Sequence, residues 1–288
     1  MRLLTGRLLT ALKWPRKDPV GHLPTQNVEE FLRVAILAGG LGTRLSEETG
    51  IRPKPMVDIG GRPILWHIMK GYSMFGVRDF VVALGYKGEQ IKNFFMNYNH
   101  TAARSLHIET RTGTIQDEVG DHDDWDVHLV ETGLTTNTGG RVLRLRDWLT
   151  DEHFCLSYGD GVADVDVKRL IEYHQSHGKL ATITAVRPPS RFGGLVINDG
   201  LVTEFVEKPQ IGEGWINGGF MVLDRRVLER IAGDQTSLEA DVLEELAKDG
   251  QLMAYQHEGF WQCMDTLRDT QLLRSLWERG EAPWQTWA

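Results

Sequence analysis

A chain of 288 residues with 41% hydrophobic and 25% charged residues has ordinary globular usage and can bury a sizeable core without disulfide staples. Its formal net charge of −8 excludes wholesale attraction to nucleic acid or an anionic membrane, although a few local cations and a metal can still gather a polyphosphate. No apolar run approaches membrane-spanning length, and Cys155 and Cys263 form no CxxC pair, so reduced thiols and a cytoplasmic protein with no membrane partner are expected.

The first 17 residues carry Arg2, Arg7, Lys13, Arg16 and Lys17 without one acid. Such a stretch suits a basic amphipathic helix on a membrane, or a targeting segment, but Pro15, Pro19 and Pro24 cut it short. Residues 1–32 are therefore expected as a loosely ordered basic extension, and 33–288 as a single domain.

From Arg33 the texture changes. Residues 33–38 form a short apolar run ending in glycines, as a buried parallel strand does. Helical spacing predicts a helix over 64–74, a strand over 79–85 and a second helix over 89–98. Residues 107–130 are polar and read as a loop or hairpin insertion, with a solvated acidic patch at Asp117, Glu118, Asp121, Asp123, Asp124 and Asp126. A strand at 153–159, a helix at 167–177 and a strand at 180–186 follow. Asn198-Asp199-Gly200 marks a hairpin turn within 195–205. The tail holds a helix over 238–248, a strand over 252–256 and a last helix over 266–279. This alternation predicts an α/β fold, Rossmann-like, with a mainly parallel sheet flanked by helices and a small β-rich insertion.

Leu37-Ala38-Gly39-Gly40-Leu41-Gly42-Thr43-Arg44-Leu45 directly follows the first strand. Glycines at a strand end let backbone N–H groups close around phosphate oxygens. Neither a Walker A loop nor a dinucleotide fingerprint fits: Gly42-Thr43-Arg44 is not Gly-Lys-Ser/Thr, and Leu45 stands where a small residue is needed. Arg44 strengthens the phosphate reading, because a guanidinium can fork onto a phosphate. Lys54 is bracketed by Pro53 and Pro55, which restrict where its ammonium can go, as suits a charge aimed at a triphosphate.

Gly-Gly-Leu-Gly-Thr-Arg-Leu followed by Pro-Lys-Pro-Met resembles the signature of the sugar-1-phosphate nucleotidyltransferases. Residues 46–49, 64–70 and 85–88, Thr138-Gly139-Gly140-Arg141, Tyr158-Gly159-Asp160-Gly161, Gly259-Phe260-Trp261-Gln262 and Met264-Asp265-Thr266 resemble its cytidylyltransferase branch. The resemblance spans nearly the whole chain from Val34, and it implies the following roles. Leu37 through Arg44, with Gly159, cradle the nucleotide, and Lys54 neutralises phosphate charge. Asp160 and Asp265 hold Mg²⁺, for which two carboxylates suffice when water and phosphate oxygens complete the octahedron. Glu207 and Lys208 meet the sugar phosphate, and Asn217 and Gly218 lie against the sugar. Arg44, Lys54 and Lys208 are the catalytic cations. The implied substrates are CTP and α-D-glucose 1-phosphate, and the implied assembly is a homo-oligomer built partly through the 107–130 insertion.

Base choice needs an acceptor for the cytosine amino group and a donor for its ring nitrogen or O2. Carbonyls near 37–41 can accept, whereas arginine only donates. Arg141, helped by Thr136, is the candidate donor; the plainer alternative pairs Arg141 with an acid on the following helix. Asp164-Val165-Asp166 has the form of a glycosyltransferase DxD motif but reads better as the opening of the 167–177 helix. His174 and His177 lack further zinc ligands. Trp277, Trp284 and Trp287 read as packing of the tail or a subunit contact. A rival of a different class, a protein that holds a nucleotide sugar without turning it over, would have no use for Arg44, Lys54, Asp160, Lys208 and Asp265 together.

Overall fold

The computed structural model describes residues 32–102, 105–117, 123–188, 194–198, 201–206 and 214–287. The basic segment at the start of the chain therefore falls outside the described residues, apart from Leu32. In chain order the strands of the main sheet are β1 Val34–Leu37, β2 Asp79–Leu84, β3 Asp126–Glu131, β4 His153–Tyr158, β5 Ala181–Val186, β6 Ile216–Asp224 and β7 Leu252–His257. They line up as β7-β5-β6-β4-β1-β2-β3. β6 runs antiparallel to β5 and β4, and every other neighbouring pair is parallel, so the sheet is mainly parallel as expected.

The apolar runs are continuous because both faces of the sheet are covered. Val34, Ile36, Phe80 and Val82 enter one core with helices α1 (Ile64–Ser73), α4 (Val167–His177) and α5 (Leu267–Glu278). Their neighbours Ala35, Leu37, Val81 and Ala83 enter the other, against α3 (Thr138–Arg144) and the helical stretch Leu238–Leu243. The period of two along each strand sends alternate side chains to opposite layers. Phe80 is wholly buried, and its truncation to alanine would cost roughly 3–5 kcal/mol. Between α1 and α3 in sequence lies α2 (Gly88–Met96).

Two expectations need correction. Residues 126–130 are not part of an insertion: β3 is the edge strand of the main sheet, paired in parallel with β2 from Asp79↔Asp126 to Leu84↔Glu131. Its polar composition hid it, because an edge strand is only half covered. The insertion proper is the hairpin Leu106–Glu109 with Thr114–Asp117. Nor is the acidic patch wholly solvated. Asp123 accepts from Lys70 Nζ at 2.5 Å and from Trp66 Nε1 at 3.0 Å, and also binds the Tyr98 hydroxyl. These partners hold its carboxyl below the usual carboxylate range although burial alone would raise it. Residues 118–122 lie outside the described residues.

The remaining expectations hold within a residue or two. The 238–248 helix starts as one wide turn, Leu238–Leu243, before becoming α-helical over Glu244–Lys248. Asp166 caps α4 by accepting from Arg169 N, which disposes of the DxD reading. Strands Gly194–Asn198 and Leu201–Val206 form the expected hairpin, whose turn residues are outside the described set.

Chain order places the site. From β1 the chain moves to β2 and β3 on one side and then returns to β4 on the other. The loops after β1 and β4 diverge at this switch point, where open parallel sheets leave a crevice.

Candidate active site

The crevice is a cleft of about 680 Å³ lined by Leu37, Ala38, Gly39, Gly40, Leu41, Gly42 and Thr43, with Lys54, Thr136, Arg141, Gly159, Asp160 and Asp265. Thirteen of the residues singled out from the sequence therefore line one space. Arg44 lies in the turn Thr43–Leu45. Asn217 touches the cleft wall through Tyr158, whose hydroxyl is 3.4 Å from its amide nitrogen, and Gly218 follows in β6. Glu207 and Lys208 fall outside the described residues.

Backbone bonds fix the loop after β1. Ala38 N donates to Ala83 O, Tyr86 N to Gly39 O, and Gly159 N to Leu37 O. Beneath it lies the Arg141 guanidinium, only 5% exposed. A Cβ at Gly39 would overlap that guanidinium, so glycine is required here by close approach. Arg141 Nη1 donates to Thr132 Oγ1 at 2.7 Å, Gly133 O at 2.8 Å and Leu84 O at 3.2 Å. Nη2 has a single contact of 3.4 Å, to Leu134 O. The alternative reading, an ion pair with a helix acid, is not what holds this side chain: its partners are carbonyls and one hydroxyl. Burial, with Arg144 nearby, lowers its pKa, but a guanidinium stays charged.

Lys54 opens a short turn, Lys54–Met56, with Pro53 extended before it at φ −68° and ψ 149°. Its ammonium lies 2.7 Å from Asp160 Oδ2 and 2.5 Å from Asp265 Oδ1. Burial by itself would lower the lysine pKa; the two carboxylates outweigh it and raise the value above the ordinary one. Far apart in sequence, the two aspartates are joined by a small antiparallel ribbon, Gly161–Ala163 with Trp261–Cys263, in which Gly161 faces Cys263. Asp160 stands just before one strand and Asp265 just after the other. Met264 N donates to Asp160 O at 2.8 Å, and Asp265 N to Asp269 Oδ2 at 3.2 Å. Asp269 belongs to the capping box that Thr266 forms at the start of α5. Two carboxylates thus converge on one point, where the Lys54 cation fits. Among the described residues no group of three or more His, Cys, Asp or Glu converges as metal ligands, and Asp160 and Asp265 are the pair that could hold a hard cation.

The far wall is built by Tyr158 and β6. Gly219 has φ +81°, in the left-handed region, and a side chain there would press on the Tyr158 ring at 2.6 Å. Asn217 Oδ1 accepts from Gly219 N at 2.9 Å, and Trp261 Nε1 donates to Gly218 O at 2.7 Å. Glu239 also lines the cleft and was not singled out from the sequence. It sits in a helix whose Leu238, Val242 and Leu243 pack the core, and its bonds to Tyr158 and Thr138 join residues 81 and 101 positions away, beyond any local pattern. His174 and His177 hydrogen-bond Thr182 rather than gather ligands.

A glycine loop, a buried lysine and two convergent carboxylates at the switch point of a wound sheet define a nucleotide-handling α/β protein. A family model described as nucleotidyl transferase matches residues 33–279. The chain is 52% identical over 259 residues to glucose-1-phosphate cytidylyltransferase of Salmonella typhimurium, covering 89% of this chain and all of that one. It is 31% identical over 254 residues to the mannose-1-phosphate guanylyltransferase catalytic subunit beta of Drosophila pseudoobscura pseudoobscura, covering 85% of this chain and 62% of that one. Among solved structures, HddC of Yersinia pseudotuberculosis complexed with GMP-PN superposes with a TM-score of 0.64 at 26% identity, over 86% of this chain and 100% of that one. The chain belongs to the nucleotidyl transferase family, and it is an enzyme of that class, as the motifs in its sequence implied.

Proposed function

We propose that this enzyme joins CTP to α-D-glucose 1-phosphate, giving CDP-glucose and pyrophosphate. The observation that carries the reading is the convergence of Lys54, Asp160 and Asp265 beside the loop after β1, in a chain half identical to a glucose-1-phosphate cytidylyltransferase. The sugar phosphate is already a nucleophile, so no general base is needed. Its oxygen attacks the α-phosphorus in line, a new P–O bond forms, the α–β phosphoanhydride bond breaks, and pyrophosphate leaves with the electron pair. Catalysis then consists of positioning and charge neutralisation, for which Arg44, Lys54 and Lys208 are the proposed cations. Asp160 and Asp265 would hold Mg²⁺, which when bound supplies charge to the phosphate oxygens. The carboxylates would then serve the metal, and the Lys54 ammonium would be left to neutralise phosphate charge.

Arg141 and Thr136 are the proposed readers of the base. Arg141 Nη1 is fully engaged by the protein, whereas Nη2 carries one long bond and keeps a hydrogen to donate. Glu207, Lys208, Asn217 and Gly218 are the proposed sugar-phosphate residues. A homo-oligomer is supported by the hairpin Leu106–Glu109/Thr114–Asp117, whose Leu106, Ile108 and Ile115 are exposed; two strands alone are barely stable in water. A cytoplasmic location is supported by the free thiols of Cys155 and Cys263 and by the metabolite substrates; no described helix is long and apolar enough to cross a membrane. Pyrophosphate release measured over four nucleoside triphosphates and several hexose 1-phosphates tests the reading. CTP with glucose 1-phosphate should give the highest kcat/KM, and a higher value for GTP with mannose 1-phosphate would overturn it.

A further inference from the structure

Glu239 is the third carboxylate that lines the cleft, with Asp160 and Asp265. Tyr158 Oη donates to its Oε1 at 2.5 Å, and Thr138 Oγ1 and Ser237 Oγ donate to its Oε2 at 2.6 Å and 3.0 Å. The direction of each bond is fixed from behind. The Thr138 hydroxyl already accepts from Leu238 N at 2.9 Å, and the Ser237 hydroxyl from Ala240 N at 3.1 Å. Asn217 Nδ2 lies 3.4 Å from the Tyr158 hydroxyl and can only donate to it. Three hydroxyls therefore point their hydrogens at one carboxylate.

Among the described residues no lysine or arginine pairs with Glu239. A carboxylate offers about four lone-pair sites, and three are taken, leaving one on Oε1. An uncompensated negative charge repels phosphate and welcomes a neutral donor. Two features place that donor on the sugar rather than the nucleotide. Tyr158 links Glu239 to Asn217 on the wall formed by β6. Through Gly219, the same wall holds the Tyr158 ring in place.

We infer that Glu239 is a specificity-determining residue that accepts a hydrogen bond from a ring hydroxyl of the hexose 1-phosphate, with Tyr158 as the residue that positions it. This rests on the reading of the enzyme as a hexose-1-phosphate nucleotidyltransferase. A site built to accept from a hydroxyl discriminates strongly against a sugar that lacks it, because the carboxylate is then left unpaired.

The test compares wild type, Glu239→Gln and Tyr158→Phe on glucose 1-phosphate and its 2-, 3-, 4- and 6-deoxy analogues, with melting curves for each protein. Glu239→Gln should raise the KM for glucose 1-phosphate at least about tenfold and leave the KM for CTP within about twofold. One deoxy analogue should be poor for wild type and suffer no further loss in Glu239→Gln, the signature of a shared contact. Tyr158→Phe, which keeps Thr138 and Ser237 in place, should give a smaller loss on the same analogue and serves if Glu239→Gln folds poorly. Equal losses on all five sugars would make Glu239 a staple of the Leu238–Leu243 turn and overturn the inference. A loss confined to CTP would overturn it as well. A wild-type enzyme that uses no hexose 1-phosphate would instead overturn the substrate reading itself, before any variant is compared.

Discussion

The Lys54 ammonium stands 2.7 Å from the Asp160 carboxylate, 106 residues away in sequence, at the point where Asp265 also arrives. By our reading each carboxylate acts through its charge rather than its shape. Asp160→Asn and Asp265→Asn should each lower turnover at least about a hundredfold, the scale of a lost electrostatic stabiliser. Folding should change little, because Lys54 keeps one partner in either variant. Pyrophosphate release titrated with Mg²⁺ checks this, and near-wild-type turnover in both variants at limiting Mg²⁺ would remove them from the metal site. Chelation of divalent cations should stop the wild-type reaction and Mg²⁺ should restore it.

Lys54 and Lys208 should separate by substrate. Lys54→Ala should weaken CTP binding, because a buried cation beside the loop is lost and Asp160 and Asp265 are left facing each other. Lys208→Ala should raise the KM for the sugar phosphate, and kcat should fall in both where the contact is made only in the transition state. Calorimetry with each substrate alone is the check, and Lys208→Ala losing only CTP affinity would reverse the assignment.

Arg141 has a structural part and, by our reading, a selective one. Arg141→Ala removes the buried guanidinium that donates to Gly133 O and Thr132 Oγ1, so the melting temperature should drop. The selective part predicts that CTP suffers more than UTP and that their kcat/KM ratio narrows. A lower melting temperature with an unchanged ratio would make Arg141 purely a support for Gly39, and base choice would then rest on backbone groups alone.

The sheet was legible because β1, β2 and β4 are buried on both faces and write themselves as apolar runs. β3 was not, since an edge strand such as Asp-Val-His-Leu-Val-Glu has no need to be apolar throughout. The loop of Gly39 to Thr43 and Lys54 were legible from local chemistry, glycine and proline acting on the backbone beside a cation. The meeting of Asp160 with Asp265 needed the ribbon between them, and no local pattern encodes its pairing. Glu239 was invisible for a related reason: two of its three hydroxyl partners, Tyr158 and Thr138, come from elements distant in sequence.

The last prediction concerns acid stability and rests on His67, on α1, which is 1% exposed. Its Nε2 donates to Ile59 O at 2.9 Å, and its Nδ1 accepts from Trp284 Nε1 at 3.3 Å. The Trp284 bond requires the neutral ring: a second proton on Nδ1 would face the Trp284 N–H. Burial is the main cause that lowers its pKa from 6.5 to about 4, with the Ile59 carbonyl and Asp58 opposing. The unfolded chain therefore takes up a proton near pH 6.5 that the folded chain refuses until about pH 4. Stability contributed by His67 is complete above about pH 6.5 and falls through that window, by about 3 kcal/mol in all. His174, also lowered to about 4 by burial and by His153, adds a second proton of the same sign. His67→Gln cannot charge, so it should be less stable than wild type at pH 7.5, where a well-fitted ring is lost, yet lose stability less steeply between pH 6.5 and 4. Urea melts at half-unit steps should show the slope reduced by about one proton. An unchanged slope would mean that His67 titrates normally and that the packing of Trp277, Trp284 and Trp287 around it does not depend on its neutral form.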